Sequence, residues 1–188
     1  MTDIDTRQAI LNAARAMVQA RGYNALSFRD LAKAVGVKSA SVHYHFPTKG
    51  DLGAVLARHY TEELAAYLDG LPLSSQSFDA TLKRYAEIFR APLLNGNRMC
   101  LGGILAAERE DLPAAVTAEV EGFAETNIRW LVKLLSRRKS KAGKDALRRQ
   151  ALAIFAALEG AQLIARSRGD VSAYDDAVAA YKAAGLFA

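Results

Sequence analysis

Hydrophobic positions along the chain recur at steps of three and four residues, and alternation of period two is nowhere sustained. That pattern predicts an all-α protein of about nine helices. In the first segment Ile10, Ala13, Ala14, Met17 and Val18 form the stripe of an amphipathic helix, which Thr6 or Asp5 can cap and Gly22 can end. Ser27-Phe28-Arg29-Asp30 has capping-box spacing and opens a short second helix to about Val35. Gly36-Val37 supplies a turn. Ser39 can cap a third short helix ending near His45, where Phe46-Pro47 breaks it. Thr48 can cap a fourth helix, 48–69.

After a connector rich in Gly, Pro and Ser (residues 69–77), the pattern continues as a second helical body. Its predicted helices run from Phe78 to Leu94 and from Arg98 to Glu110, the latter with a flexible point at Gly102-Gly103. A long helix follows Pro113 to about Lys139, and two more span Asp145 to Arg168 and Ser172 to about Ala184. In the long helix Val116, Val120, Phe123, Asn127, Trp130 and Leu134 share one face. The expected organisation is a head, 1–50, joined through the fourth helix to a body, 51–188.

Composition sharpens this picture. With 188 residues, 51% hydrophobic and 24% charged, the chain is no disordered segment and can bury a core without disulfides or metal. The net charge is +5, and its placement is uneven. Residues 1–50 hold seven Lys and Arg against three acids, hence +4; the other 138 hold 18 against 17, hence +1. A basic head on a near-neutral body points to a polyanion as the head's partner. No apolar run reaches about 18 residues and the N-terminus has no apolar signal core, so neither a membrane span nor a secretory signal is expected. The lone Cys100 cannot close an intrachain disulfide, and a reducing cytoplasm is the expected compartment.

Two short helices around a turn at Gly36, flanked by further helices, describe a helix-turn-helix unit. Its second helix must enter a major groove about 12 Å wide, which requires small residues for close approach and polar residues to reach bases and phosphates. Ala40 and Ser41 are small, and His43, Tyr44 and His45 carry hydrogen-bonding groups. Val42 and Phe46 should face inward. Lys38 and Lys49 bracket the unit, and the start of the fourth helix at Thr48-Lys49 presents free N–H groups to a phosphate.

These residues resemble the DNA-binding segment of TetR-type transcriptional repressors. The matching positions are Gly22-Tyr23, Ser27, Arg29-Asp30-Leu31-Ala32, Ala34-Val35-Gly36-Val37, Ser41-Val42, Tyr44-His45-Phe46 and Lys49. The resemblance covers about residues 7–56. His43 departs from the family's usual Tyr, Ala40 from Gly and Gly50 from Glu. It implies a three-helix head that contacts DNA through Arg29, Ser39, Ser41, His43, Tyr44, His45 and Lys49. Charge adds Lys38, and a free hydroxyl adds Thr48. Arg29 can equally pair with a neighbouring acid.

The resemblance also implies a body that binds a ligand and dimerises. Residues 151–165 read ALAIFAALEGAQLIA, apolar on nearly every side, and Ala157, Gly160 and Ala161 suit close approach of another helix. A homodimer joined by helices eight and nine (about 145–184) is expected, with two recognition helices about 34–36 Å apart on a palindromic operator. Ligand-site candidates are Tyr67, Tyr85, Phe89, Cys100, Ile104, Phe123, Asn127, Trp130, Phe155 and Glu159, with Glu108 and Gln162 as further polar candidates. Each aromatic has a plain alternative as core. Cys100, beside Arg98, reads either as a thiol that senses oxidants or electrophiles or as a buried core residue. The basic loop 137–144, with Arg148 and Arg149, reads as a solvated loop or a second DNA contact.

No metal-ligand cluster, phosphate loop or nucleophile motif supports an enzyme, and no cofactor is expected. The expected function is a repressor released by a small-molecule inducer; an activator of the same fold is the alternative.

Overall fold

A computed structural model describes residues 3–74, 76–138 and 143–187. Nine α-helices are present among them: α1 (Asp3–Arg21), α2 (Phe28–Val35), α3 (Ser39–His45), α4 (Lys49–Asp69), α5 (Phe78–Leu94), α6 (Leu101–Ala107), α7 (Ala114–Leu135), α8 (Lys144–Arg168) and α9 (Ser172–Ala183). No strand occurs among the described residues.

The predicted helices correspond one to one, with local corrections. α1 begins at Asp3, where Asp3 and Asp5 in the first turn suit the helix dipole. Thr6 lies buried inside the helix rather than ahead of it. The buried stripe is Ile10, Leu11, Ala14 and Val18, so the face is turned toward Leu11 and away from Ala13 and Met17. The predicted sixth helix is split into α6 and a single 3-10 turn, Arg109–Asp111. α7 ends at Leu135, short of the predicted Lys139. α9 starts at Ser172 as predicted, and there the Ser172 N–H and hydroxyl both donate to Asp170, at 2.9 and 2.8 Å.

Contacts divide the chain into two compact units. The first comprises Met1–Glu62 and Leu101–Phe123, the second Glu63–Cys100 and Ala124–Ala188. α4 and α7 each supply residues to both.

In the first unit α1, α2 and α3 pack on one another, and α1 also meets α6. Leu31, Val42, Phe46 and Leu52 are buried at its centre. Gly102 of α6 has a packing reason rather than the expected flexibility. A Cβ built there would overlap the Phe123 ring, which is itself buried and lies 5.5 Å from the Tyr60 ring. Gly102→Ala is therefore expected to destabilise the protein by about 1–3 kcal/mol through overpacking, read from its urea midpoint. An unchanged midpoint would mean that Phe123 moves aside freely.

In the second unit α8 packs against α5 and α9. Ala151, Ile154, Leu158, Ala161 and Ala165 line the inner face of α8. Its other face stays open: Leu152, Leu163 and Ile164 are 52%, 56% and 54% exposed. Gly160 is exposed on that side, with open space where a Cβ would be. Ala161, expected to meet a partner helix, faces the chain's own core instead. The helix is thus apolar all round, as read, but within one chain only one side is covered.

Candidate nucleic-acid interface and effector site

The head is positioned by local rules. The Ser27 hydroxyl accepts from the Asp30 N–H at 3.4 Å and starts α2. Gly36 ends it in the left-handed conformation (φ 77°), which only a residue without a Cβ adopts cheaply, and its N–H returns to the Ala32 carbonyl at 2.9 Å. α3 follows after two residues. Val42 and Phe46 seat it in the core, as their apolar character predicts. α4 is capped by a reciprocal pair: the Thr48 N–H donates to Asp51 at 3.0 Å and the Asp51 N–H to the Thr48 hydroxyl at 3.1 Å.

Around this frame the predicted DNA-facing residues take distinct positions. Tyr44 is 74% exposed although it is a large aromatic, and its ring meets the His45 ring edge-on at 5.2 Å. Lys38, Ser39, Ala40, His43 and Thr48 are exposed and Ser41 is half-buried. His43 is held edge-on against Phe28, ring centres 4.7 Å apart. Arg29 is exposed and lies 3.7 Å from the adjacent Asp30 carboxylate. Lys49 is tethered: its ammonium lies 4.5 Å from the Tyr23 ring centre and donates to the Asn24 carbonyl at 3.3 Å. His45 turns the other way. Its side chain is only 6% exposed and its Nε2 lies 3.5 Å from the Asp3 carboxylate at the start of α1.

Tyr23 is a residue of this site that periodicity alone does not mark. Besides stacking on Lys49, its hydroxyl donates to the Lys49 carbonyl at 3.1 Å. Its own N–H is accepted by Glu108 at 2.5 Å, while Asn24 donates to Asp111 at 2.9 Å. Glu108, one of the polar ligand candidates, is committed here to holding the end of α1. The paired motif Gly22-Tyr23 was the available signal.

The ligand candidates separate. Ile104 and Phe123 belong to the first unit. Tyr67, Tyr85, Phe89, Cys100, Asn127, Trp130, Phe155 and Glu159 belong to the second. Tyr67 is at the surface, with the Arg84 guanidinium 6.0 Å from its ring centre. The rest gather in one cluster. Tyr85 is fully buried; its ring stacks on Trp130 at 5.2 Å and meets Phe89 edge-on at 5.4 Å, and Phe89 lies 6.1 Å from Phe155.

Polar groups within this cluster are matched. The Tyr85 hydroxyl donates to Asn127 Oδ1 at 2.8 Å, which explains an amide on an apolar stripe. Gln162 accepts from the Cys100 N–H at 2.9 Å and donates to the Phe89 carbonyl at 2.5 Å. Trp130 Nε1 donates to the Leu68 carbonyl at 3.0 Å, and the Tyr174 hydroxyl to the Ala86 carbonyl at 2.7 Å. Glu159 is the exception: its shielded carboxyl oxygens meet no strong donor, only the weakly donating Cys100 thiol beside them. Burial pushes this carboxyl up to about 7, against the smaller opposing effect of the Cys100 thiol beside it. The Tyr85 hydroxyl is also raised, by burial and then by the charge of Glu159, and the Tyr174 hydroxyl by burial, then by Glu87 and then by Glu159.

Elsewhere, a half-open groove of about 660 Å³ runs between α5 and α9, lined by residues including Leu82, Arg90, Tyr174 and Val178. None of the sequence-derived ligand candidates lines it. Of the basic loop, residues 139–142 lie outside the described residues. Arg148 makes a two-pronged pair with Glu125 at 2.9 and 2.7 Å, on the surface. No helix among the described residues is long and apolar enough to cross a membrane.

Comparison with known proteins agrees with this geometry. The family described as "Bacterial regulatory proteins, tetR family" matches residues 10–54. A TetR transcriptional regulator of Legionella pneumophila is similar over 90% of this chain and 91% of its own, with 33% identity and a TM-score of 0.83. A TetR-family regulator of Agrobacterium tumefaciens has 29% identity, 92% and 93% coverage and the same TM-score. The repressor LfrR of Mycolicibacterium smegmatis is 37% identical over 82 residues, 44% of this chain. That match spans 42% of LfrR's own length.

Proposed function

The chain belongs to the TetR family of bacterial regulatory proteins, and from that premise we propose that it is a DNA-binding transcriptional regulator, a homodimeric repressor that a small molecule releases from a palindromic operator. The observation that carries this reading is the exposure of Tyr44 on α3. A large aromatic at 74% exposure, between the buried anchors Val42 and Phe46, serves no core and suits a groove. Ser39, Ser41, His43 and Tyr44 form the groove-facing set, with Arg29, Lys38 and the α4 N-terminus at phosphates; the Thr48 hydroxyl, expected there too, donates to Asp51 at 2.8 Å instead. Lys49 presents its charge at the head's edge from its seat on Tyr23. His45 supports the set from behind by pairing α3 with Asp3.

In this reading residues 1–50 are the DNA-binding head and 51–188 the ligand-binding and dimerisation body, and the protein works in the cytoplasm without a cofactor. The uncovered face of α8 supports dimerisation through α8 and α9: three exposed branched side chains and a glycine form one apolar strip. Switching by modification of Cys100 is a weaker second reading. Its side chain is fully buried, and the adjacent Glu159 carboxylate would oppose a thiolate.

The test is titration of the purified protein onto its own upstream DNA at several salt concentrations. Protection of a palindrome, with affinity falling steeply as salt rises, is expected; binding without sequence preference would sink the reading. Two variants divide the contacts. His43→Ala should relax preference at one base position, at a cost of about 1–3 kcal/mol, and Lys38→Ala should weaken all sequences alike and lower the salt slope by about 1. Identical behaviour of the two variants would overturn the assignment of base and phosphate contacts.

A further inference from the structure

Both walls of the groove between α5 and α9 belong to helices that pack on α8. At one end the Arg90 guanidinium of α5 pairs with Asp175 of α9 at 2.7 and 3.0 Å. At the other, Arg138 lies 4.5 Å from the centre of the Phe78 ring at the start of α5 and donates to the Phe187 carbonyl, just beyond α9, at 3.4 Å. The two helices are therefore antiparallel. Between these ties the groove of about 660 Å³ stays open, because small side chains face it: Ala86 from α5, Val178 and Ala179 from α9. Tyr174, which also lines it, is buried, and its hydroxyl donates to the Ala86 carbonyl at 2.7 Å.

Charge along this groove is uneven. Arg90 is held by Asp175 and, at 3.6 Å, by Glu87, so that end carries one positive charge against two negative ones. Lys83 and Lys182 also line the groove. Each stands seven residues from its member of the Arg90–Asp175 pair, and in antiparallel helices both steps lead the same way, about 10.5 Å along the axis. The two lysines thus share the other end. Both are exposed, and neither has an ion pair or hydrogen bond among the described residues. Asp79, the acid lining that end, has none either, which leaves +1 there against −1 at the Arg90 end.

We propose that this groove binds an amphipathic monoanion, with an apolar chain laid over Ala86, Val178 and Ala179 and its carboxylate between Lys83 and Lys182. An apolar body gains by leaving water, and a carboxylate relieves two like charges that share one end of the groove without a partner. A cationic head would meet like charge at the lysines, and at the other end the acids are already held by Arg90. The negative balance of that end opposes a second carboxylate, so a dianion of the same length is disfavoured. The site rests on the groove alone, and the reading of the chain as a regulator does not enter it.

The probe is decanoate, titrated by calorimetry below its micelle concentration. At low salt it is expected to bind about tenfold more tightly than decyltrimethylammonium, hexanoate or decanedioate. Added salt should shrink the preference over the cation, since exposed charges are screened, and leave the preference over hexanoate in place. Lys83→Gln with Lys182→Gln should remove the anion preference, and Ala179→Trp, at an exposed position, should abolish binding by filling the trough. Circular dichroism and urea midpoints equal to wild type establish that the variants fold, and the lysine pair, being exposed, decides the matter should the tryptophan disturb α9. No decanoate binding, equal affinity for the cation, or wild-type preference in the lysine variant would each overturn the proposal. Undiminished decanoate binding by a folded Ala179→Trp would place the anion elsewhere on the molecule and overturn it too.

Discussion

The double replacement Leu163→Asp with Ile164→Glu is expected to yield a monomer and to weaken operator binding about 10²- to 10⁴-fold, the range over which linking two binding modules raises affinity. Both side chains are more than half exposed on the open face of α8, so the chain's own core loses little. In a dimer the same positions would be covered. Each apolar side chain fully buried there contributes about 1.5–3 kcal/mol, and two unpaired carboxylates in their place would carry a desolvation cost as well. One head alone reads one half-site, which is why the loss in DNA affinity should far exceed any loss in helicity. Sedimentation gives the mass and an operator titration the affinity. A double variant that still sediments as a dimer would place the interface on another face.

Glu159→Gln should change how stability depends on pH. The folded carboxyl, raised to about 7 by burial, binds its proton more tightly than the unfolded one at 4.5. Its contribution is therefore fully favourable below about 4.5 and is lost as pH rises to 7, because the unfolded chain ionises first. Above 7 both states are ionised and the slope vanishes. The difference amounts to about 3 kcal/mol between pH 4.5 and 7.5, at 1.36 kcal/mol per pKa unit. Relative to wild type, the glutamine variant should thus gain about that much across the interval, whatever its offset at low pH. Urea unfolding of both proteins at pH 5, 6, 7 and 8 measures this, since other titrating groups cancel in the comparison. A constant difference would mean that the carboxyl is solvated or paired.

Much of the head was legible beforehand because its signals are local. The Ser27 cap, the Gly36 turn and the Thr48 cap each depend on residues within four positions, and all appear where the spacing put them. The reading also put Val42 and Phe46 inward and His43, Tyr44 and His45 outward, which holds for all but His45. It did not reveal that His45 folds back on Asp3, or that Lys49 sits on Tyr23, because those partners lie 42 and 26 residues away in sequence. In the body the apolar stripes identified which helices form and left their grouping undecided. Phe123 and Asn127 share one stripe of α7, yet Phe123 covers Gly102 in one unit and Asn127 holds Tyr85 in the other.

By itself, then, the sequence determined an all-helical chain, a groove-reading unit near its start and a charge concentrated there, since hydrophobic period, caps and turns act within a few residues. Tertiary structure alone decided which side of α8 is left uncovered and which buried polar group meets no strong donor. Both depend on what remains after every other side chain has been placed. Asn127 and Glu159 are alike in sequence as polar residues on apolar helices. Packing gave the first a tyrosine hydroxyl and set the second beside no better donor than the Cys100 thiol, which is why burial raises the Glu159 carboxyl.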